Sequence, residues 1–210
     1  RINNLSESET IEMAKKAREL AAKGIDVINL SFGEPDFGTP DHIKEAAKKA
    51  LDDGFTFYTP VPGYLDLRQA ISEKFKNDNN LDYSAEQIVV STGAKQTLAN
   101  IFLCTINEGD EVIVFTPYWV SYREVIKLSG GIPVYVEGKF ENDFKVTPED
   151  LKKAITPKTK AIIYSSPSNP TGGVYSKDEL EGIAKVVANH KNVLVIADEI
   201  YEYINFEGKH

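Results

Sequence analysis

A single cysteine, Cys104, occurs in 210 residues, so no disulfide framework can form within the chain. Set in the apolar run ANIFLCTI, it reads as a buried core thiol rather than a nucleophile. No apolar run approaches the ~20 residues needed to span a bilayer. A cleavable leader pattern is also missing, which makes the cytoplasm the expected compartment, and the opening Arg1 in place of Met points to a trimmed N-terminus. There is no long basic run and the formal net charge is -8, which argues against nucleic acid and anionic membrane as partners. Local sites remain able to bind small anions. Neither G-x-x-x-x-G-K-[ST] nor G-x-G-x-x-G is present. What remains, 41% hydrophobic and 27% charged residues, is the profile of an ordinary soluble protein with one large domain or two small ones.

Helix and strand signals alternate along the chain. Ser6 or Ser8 is positioned to cap an opening helix with apolar residues at Ile11, Ala14, Leu20 and Ala21 and a stop at Gly24. The segment IDVINLSF reads as a strand. After the loop GEPDFGTP, Thr39 as N-cap and Pro40 at the first helical position open a second helix with Ile43, Ala46, Ala47, Ala50 and Leu51 on one face. A third helix carries Leu67, Ile71 and Phe75. The rhythm then becomes regular: strand QIVVST, helix from Gly93 to Ile106, strand EVIVFTP, helix YWVSYREVIKLSGG and strand IPVYVEG. The polar patch EGKFENDFK reads as a solvated connection, followed by helix PEDLKKAI, strand KAIIYSSP, a helix opened by a capping box from Ser176 to Glu179, and strand NVLVIAD. Short apolar strands separated by helices specify an α/β class with a mostly parallel sheet and helices on both faces. Val193 to Ala197 in particular read as a strand buried on both sides.

In open sheets of this class ligands gather beyond the carboxyl ends of the strands. The residues there are Ser91, Thr92, Gly93, Ala94 and Lys95; Thr116, Pro117, Tyr118 and Trp119; SSPSNPTGG from Ser165; and Asp198, Glu199 and Tyr201. In STGAKQTL a helix begins directly after a glycine, which leaves unpaired N–H groups and a positive dipole end suited to a phosphate. The same pattern also serves a tight turn. Trp119, the sole tryptophan, is either a core aromatic or a platform for a planar ligand. Asn169 lies in turn-rich SNPTGG and offers an amide at the same rim. Asp198, at the end of an apolar run, needs a cation or a donor, supplied by Lys95 or by a protonated ring nitrogen of a ligand. Glu199 can cap the next turn. VLVIADE also resembles the strand-plus-acid signature of P-loop ATPases, but that reading requires the absent phosphate loop.

The segments SFGEPDFGTP, FYTPVPGYLDLRQAI, VSTGAKQTL, GDEVIVFTPYWVSY, SSPSNPTGGVYS and VIADEIYE, taken in order, resemble the class I (fold type I) aminotransferases, most closely the bacterial aspartate aminotransferase branch. The resemblance covers nearly the whole chain. It implies pyridoxal 5'-phosphate as cofactor and a site in which Asp198 pairs with the protonated ring nitrogen. Tyr201 and Asn169 would bond the ring's phenolic oxygen, Trp119 would stack on the ring, and the backbone at Gly93, Ala94 and Lys95 would hold the phosphate. Asn169 and Gly33 would meet the substrate carboxylate, and Tyr58 would reach the phosphate of a neighbouring subunit in a homodimer. The implied reaction moves an amino group from an amino acid, aspartate foremost, to a 2-oxo acid such as 2-oxoglutarate. Aromatic amino acids, alanine and prephenate are the competing substrates. No metal, nucleic acid or membrane is implied.

The resemblance also assigns residues 1–38 to a small domain and residues 39–210 to an incomplete large cofactor-binding domain. The family's cofactor-linked lysine and the arginine that clamps the substrate carboxylate have no counterpart here, since Lys209 lies too close to the VIADEIYE segment. These 210 residues are therefore expected to be inactive alone, as about half of a longer enzyme. The rival expectation is a short, non-catalytic protein that binds the cofactor or a partner subunit.

Overall fold

The structure, a computed structural model, describes residues 5–6, 9–30, 33–204 and 206. The chain divides into two compact units, Glu7–Thr92 and Gly93–His210, the latter including the segment Arg1–Ser6.

Among its described residues the Glu7–Thr92 unit contains three α-helices, α1 (Glu9–Ala22), α2 (Asp41–Asp52) and α3 (Leu65–Asn79), and a 3-10 turn at Ala85–Gln87. Ser8, one expected cap of α1, lies outside the described residues. Helix α2 begins one residue later than expected, with Pro40 at the cap position and no side-chain cap bond from Thr39. Helix α3 ends where Asn80 turns left-handed at φ 54°. Arg68 fastens α3 to its surroundings by donating to the carbonyls of Gly63 at 3.1 Å and Ala85 at 2.7 Å. Two expected strands do not form. Residues 25–30 and 88–91 join no ladder among the described residues, and 31–32 lie outside them. A β-prone sequence becomes a strand only with a partner for its backbone groups. Val90, for example, makes one such bond, its N–H donating to the Pro62 carbonyl at 3.0 Å.

In the Gly93–His210 unit every expected element is present: α4 (Ala94–Thr105), β1 (Glu111–Thr116), α5 (Ser121–Ser129), β2 (Ile132–Glu137), α6 (Pro148–Ala154), β3 (Thr159–Ser165), α7 (Lys177–Val187) and β4 (Leu194–Asp198). The predicted capping box is formed. Ser176 Oγ accepts from the Glu179 N–H at 3.3 Å, and Glu179 Oε2 accepts from the Ser176 N–H at 2.7 Å. Thr147 caps α6 in the same manner, with Pro148 at its first turn. Gly130, at φ 94°, ends α5 in the left-handed conformation that glycine adopts without penalty.

The strands form one sheet in the order β2-β1-β3-β4, with every neighbouring pair parallel. Alternation along the strands divides the core into two layers. Val112, Val114, Ala161, Ile163 and Ile196 pack with Leu98 and Phe102 of α4 and with Tyr122, Val125 and Ile126 of α5. Ile113, Phe115 and Ile162 pack on the opposite side with Leu151 of α6 and Ile183 of α7. Each fully buried side chain of this size stabilises the fold by roughly 1.5–3 kcal/mol. The α/β class with helices on both sheet faces is therefore the observed architecture.

Two burial expectations change. β4 is not buried on both faces: Leu194 and Val195 remain 41% and 42% exposed, and among the described residues β4 pairs with β3 alone, at the edge of the sheet. Cys104 is exposed, since α4 turns Leu98 and Phe102 inward and leaves position 104 on its outer face.

The patch at residues 137–145 is more than a solvated link. It folds back on itself through a bridge between Lys139 and Lys145, while Lys145 Nζ pairs with Glu179 at 2.7 Å. The Gly138 N–H donates to the Thr116 carbonyl at 2.8 Å, and a Cβ at position 138 would collide with the Phe144 carbonyl group. A Gly138→Ala substitution must therefore displace backbone, and we expect it to lower unfolding free energy by about 1–3 kcal/mol. A urea denaturation midpoint equal to that of the unaltered protein would show that this turn yields freely.

Candidate active site

The period of a strand decides which polar residues share the rim of the sheet. Two residues beyond Val114, Ile163 and Ile196 come Thr116, Ser165 and Asp198, so the stripe that packs on α4 and α5 turns polar where the strands end. Ser165 and Asp198 are direct partners in the β3–β4 ladder. The Ser166 N–H adds a long bond of 3.4 Å to the Asp198 carbonyl.

Asp198 does not meet Lys95. Its Oδ2 accepts a 2.7 Å hydrogen bond from the phenol of Tyr122, and its Oδ1 accepts from the Ile200 N–H at 3.4 Å. Tyr122 lies in the first turn of α5 and is 1% exposed. Burial foremost, and then the adjacent Asp198 carboxylate, push its phenol far above the ordinary tyrosine range. It is held as a protonated donor. Trp119 meets the Tyr122 ring edge-on, with centroids 5.7 Å apart, and Tyr118 stacks against it at 6.5 Å. Helix α5 starts at Ser121, later than the sequence suggests, and leaves Tyr118 and Trp119 in the loop that follows β1.

Lys95 instead places Nζ 5.0 Å from the centroid of the Trp119 ring. Gly93 precedes α4 at φ 82° and ψ 160°, and a Cβ there would meet nothing within 4 Å. The Gly93 carbonyl accepts from the N–H groups of Gln96 at 3.1 Å and Thr97 at 3.3 Å. The amides of Ala94 and Lys95 thus stand in the first turn without an intrahelical acceptor. This end of α4 is exposed.

The third group is the loop after β3. The Asn169 N–H donates to Ser165 Oγ at 3.3 Å, and Asn169 Nδ2 donates to the Tyr201 phenol oxygen at 3.1 Å. Glycine is required in this loop at Gly172, where φ is 72° and the N–H closes a turn onto the Ser168 carbonyl at 2.8 Å.

Gly93, Ala94, Lys95, Trp119, Asn169, Asp198 and Tyr201 therefore belong to one unit, in which Lys95 meets Trp119 and Asn169 meets Tyr201. Gly33 and Tyr58 belong to the Glu7–Thr92 unit, where both are exposed. Sequence reasoning missed Tyr122, whose partner Asp198 lies 76 positions away and is brought to it only by the packing of α5 on the sheet.

The chain is similar to known proteins over its whole length. Residues 25–209 match the family described as aminotransferase class I and II. An aspartate aminotransferase of Bacillus subtilis (strain 168) is 52% identical over 209 residues, covering 100% of this chain and 53% of the relative. A probable aspartate/prephenate aminotransferase of Rickettsia felis is 51% identical, covering 99% of this chain and 51% of its own length. The aspartate aminotransferase of Thermus thermophilus solved with maleate superposes with a TM-score of 0.96 at 45% identity, over 100% of this chain and 55% of that one. The chain spans about half the length of the curated relatives it matches.

The raised phenols give a pH prediction. Tyr175 is pushed up to about 12, by burial foremost, and Tyr122 higher still. Unfolded tyrosines ionise near 10, so above that pH the unfolded chain releases protons that the folded chain retains. Stability should be intact below pH 10 and fall between pH 10 and 12, by up to about 1.4 kcal/mol per pH unit for each such group. Urea melts at pH 8, 10, 11 and 12 test this. A flat profile would mean that neither phenol is protected.

Proposed function

We propose a function from one established premise: the chain belongs to the class I and II aminotransferase family. The family is dependent on pyridoxal 5'-phosphate. The residues present fit that group. The exposed α4 terminus, with no Cβ at Gly93, is open to an anion; the Trp119 indole offers a planar surface; and a carboxylate, an amide and a phenol lie close by on the same rim.

The polypeptide at its native length then transfers an amino group from aspartate to 2-oxoglutarate. The single observation that carries the site assignment is the Asp198 carboxylate, held at the strand end by a buried donor instead of by a lysine. When bound, the cofactor's pyridine ring accepts the electron pair left by removal of the substrate Cα proton. Asp198 keeps a proton on the ring nitrogen and so preserves the ring's electron demand. The Asn169 amide and the Tyr201 hydroxyl donate to the ring's phenolic oxygen, and Asn169 also meets the substrate carboxylate. Trp119 covers one ring face and excludes water from it. The Ala94 and Lys95 amides, with the α4 dipole behind them, hold the phosphate. Gly33 offers its main chain to the substrate carboxylate.

Aspartate is favoured because relatives at about this identity are named for aspartate or aspartate/prephenate, and the Thermus protein was solved with maleate, a four-carbon dicarboxylate like aspartate. We further propose a cytoplasmic homodimer in which the fully exposed Tyr58 reaches the phosphate of the neighbouring subunit. Residues 1–38 would join a small domain and residues 39–210 the large one.

Assays of the polypeptide at its native length with pyridoxal phosphate, 2-oxoglutarate and a panel of amino donors should give the highest kcat/KM with aspartate. A donor at least tenfold better, whether aromatic or alanine, would overturn the substrate assignment. Asp198→Ala should reduce kcat by at least about 100-fold, as expected when a preorganised charge partner is removed. Unaltered turnover in that variant would remove Asp198 from the site.

A further inference from the structure

We propose, resting on the cofactor reading above, that Tyr122 is a positioning residue: its hydroxyl holds one oxygen of the Asp198 carboxylate and so presents the other to the ring nitrogen.

The geometry supports this in three ways. The Tyr122 ring is 1% exposed and held between Trp119 and Tyr118, so its hydroxyl cannot swing away from the strand ends. That hydroxyl donates to Asp198 Oδ2 at 2.7 Å, whereas Oδ1, among the described residues, accepts from the Ile200 N–H at 3.4 Å. Oδ1 is therefore the oxygen with most capacity left for a ligand N–H. Finally, the carboxylate that Tyr122 holds belongs to the ladder partner of Ser165, and Ser165 Oγ accepts from the Asn169 N–H at 3.3 Å. Asn169 Nδ2 in turn donates to the Tyr201 hydroxyl at 3.1 Å. The carboxylate assigned to the ring nitrogen and the amide and phenol assigned to the ring's phenolic oxygen thus lie on adjacent strand ends.

A hydrogen bond to a charged group inside a protein is stronger than a neutral one, because the carboxylate has lost much of its water. Removing the Tyr122 hydroxyl leaves Oδ2 without a donor. Asp198 is then free to rotate. The groups facing Tyr122 are Asp198, Ser165, Tyr118, Trp119 and, at longer range, the Tyr201 phenol.

The test is calorimetric binding of pyridoxamine 5'-phosphate, which needs no covalent link, to the polypeptide at its native length. Tyr122→Phe should weaken binding about 10- to 100-fold at pH 8. In an Asp198→Ala background, whose binding is weakened but still measurable, the same substitution should change nothing further. Should Tyr122→Phe fail to fold, 4-fluorophenylalanine in place of Tyr122 fills the same volume without a donor and should weaken binding likewise. The proposal is overturned by unchanged affinity in the variant that folds, or by equal weakening with and without Asp198, which would mark a purely structural role. Binding by the unaltered protein that is weakened in Asp198→Ala upholds the cofactor reading whatever Tyr122→Phe does. No binding by the unaltered protein overturns both.

Discussion

A carboxylate at the mouth of an apolar sheet stays charged only if a donor meets it, and in this chain the donor is the buried phenol of Tyr122. The arrangement depends on two regularities of the fold. Strand alternation carries the apolar stripe of β3 and β4 into Ser165 and Asp198, on the face covered by α5. The helical period then aims Tyr122, in the first turn of α5, at that same stripe. A one-residue slip in the β3–β4 register would separate Ser165 from Asp198 and turn the carboxylate to the face away from the phenol.

The parallel order β2-β1-β3-β4 sends each strand toward the same rim and returns the chain through a helix on one face or the other. Polar residues that follow apolar runs are thereby concentrated at one edge, although far apart in sequence. Asn169 and Tyr201 are 32 positions apart, and Tyr122 and Asp198 are 76 apart, yet each pair is within hydrogen-bond distance. The same topology places the α4 terminus after Gly93 in the unit that bears this rim.

The two units differ in how fully local signals decide structure. In the Gly93–His210 unit strong patterns also find partners: the Ser176–Glu179 box closes, Gly130 ends α5, and alternate residues of β1 and β3 fill two cores. In Glu7–Thr92 the apolar segments 25–30 and 88–91 join no ladder among the described residues, and Phe57, Tyr58 and Val61 remain exposed. A local preference for strand becomes a strand only where a partner pairs with it.

The sequence by itself determined the α/β class, the order of helices and strands after Gly93, the caps, and the rim positions of Trp119, Asn169, Asp198 and Tyr201. All of these follow from periodicity, capping chemistry and quoted motifs, which act over a few residues. Only the tertiary structure decided that Lys95 lies over Trp119 instead of beside Asp198, that Cys104 faces outward, that β4 is an edge, and that Tyr122 holds the carboxylate. Those outcomes depend on which strand lies beside which and on the direction of a side chain across a packed interface. Contacts between residues distant in sequence set them, and no local pattern encodes such contacts.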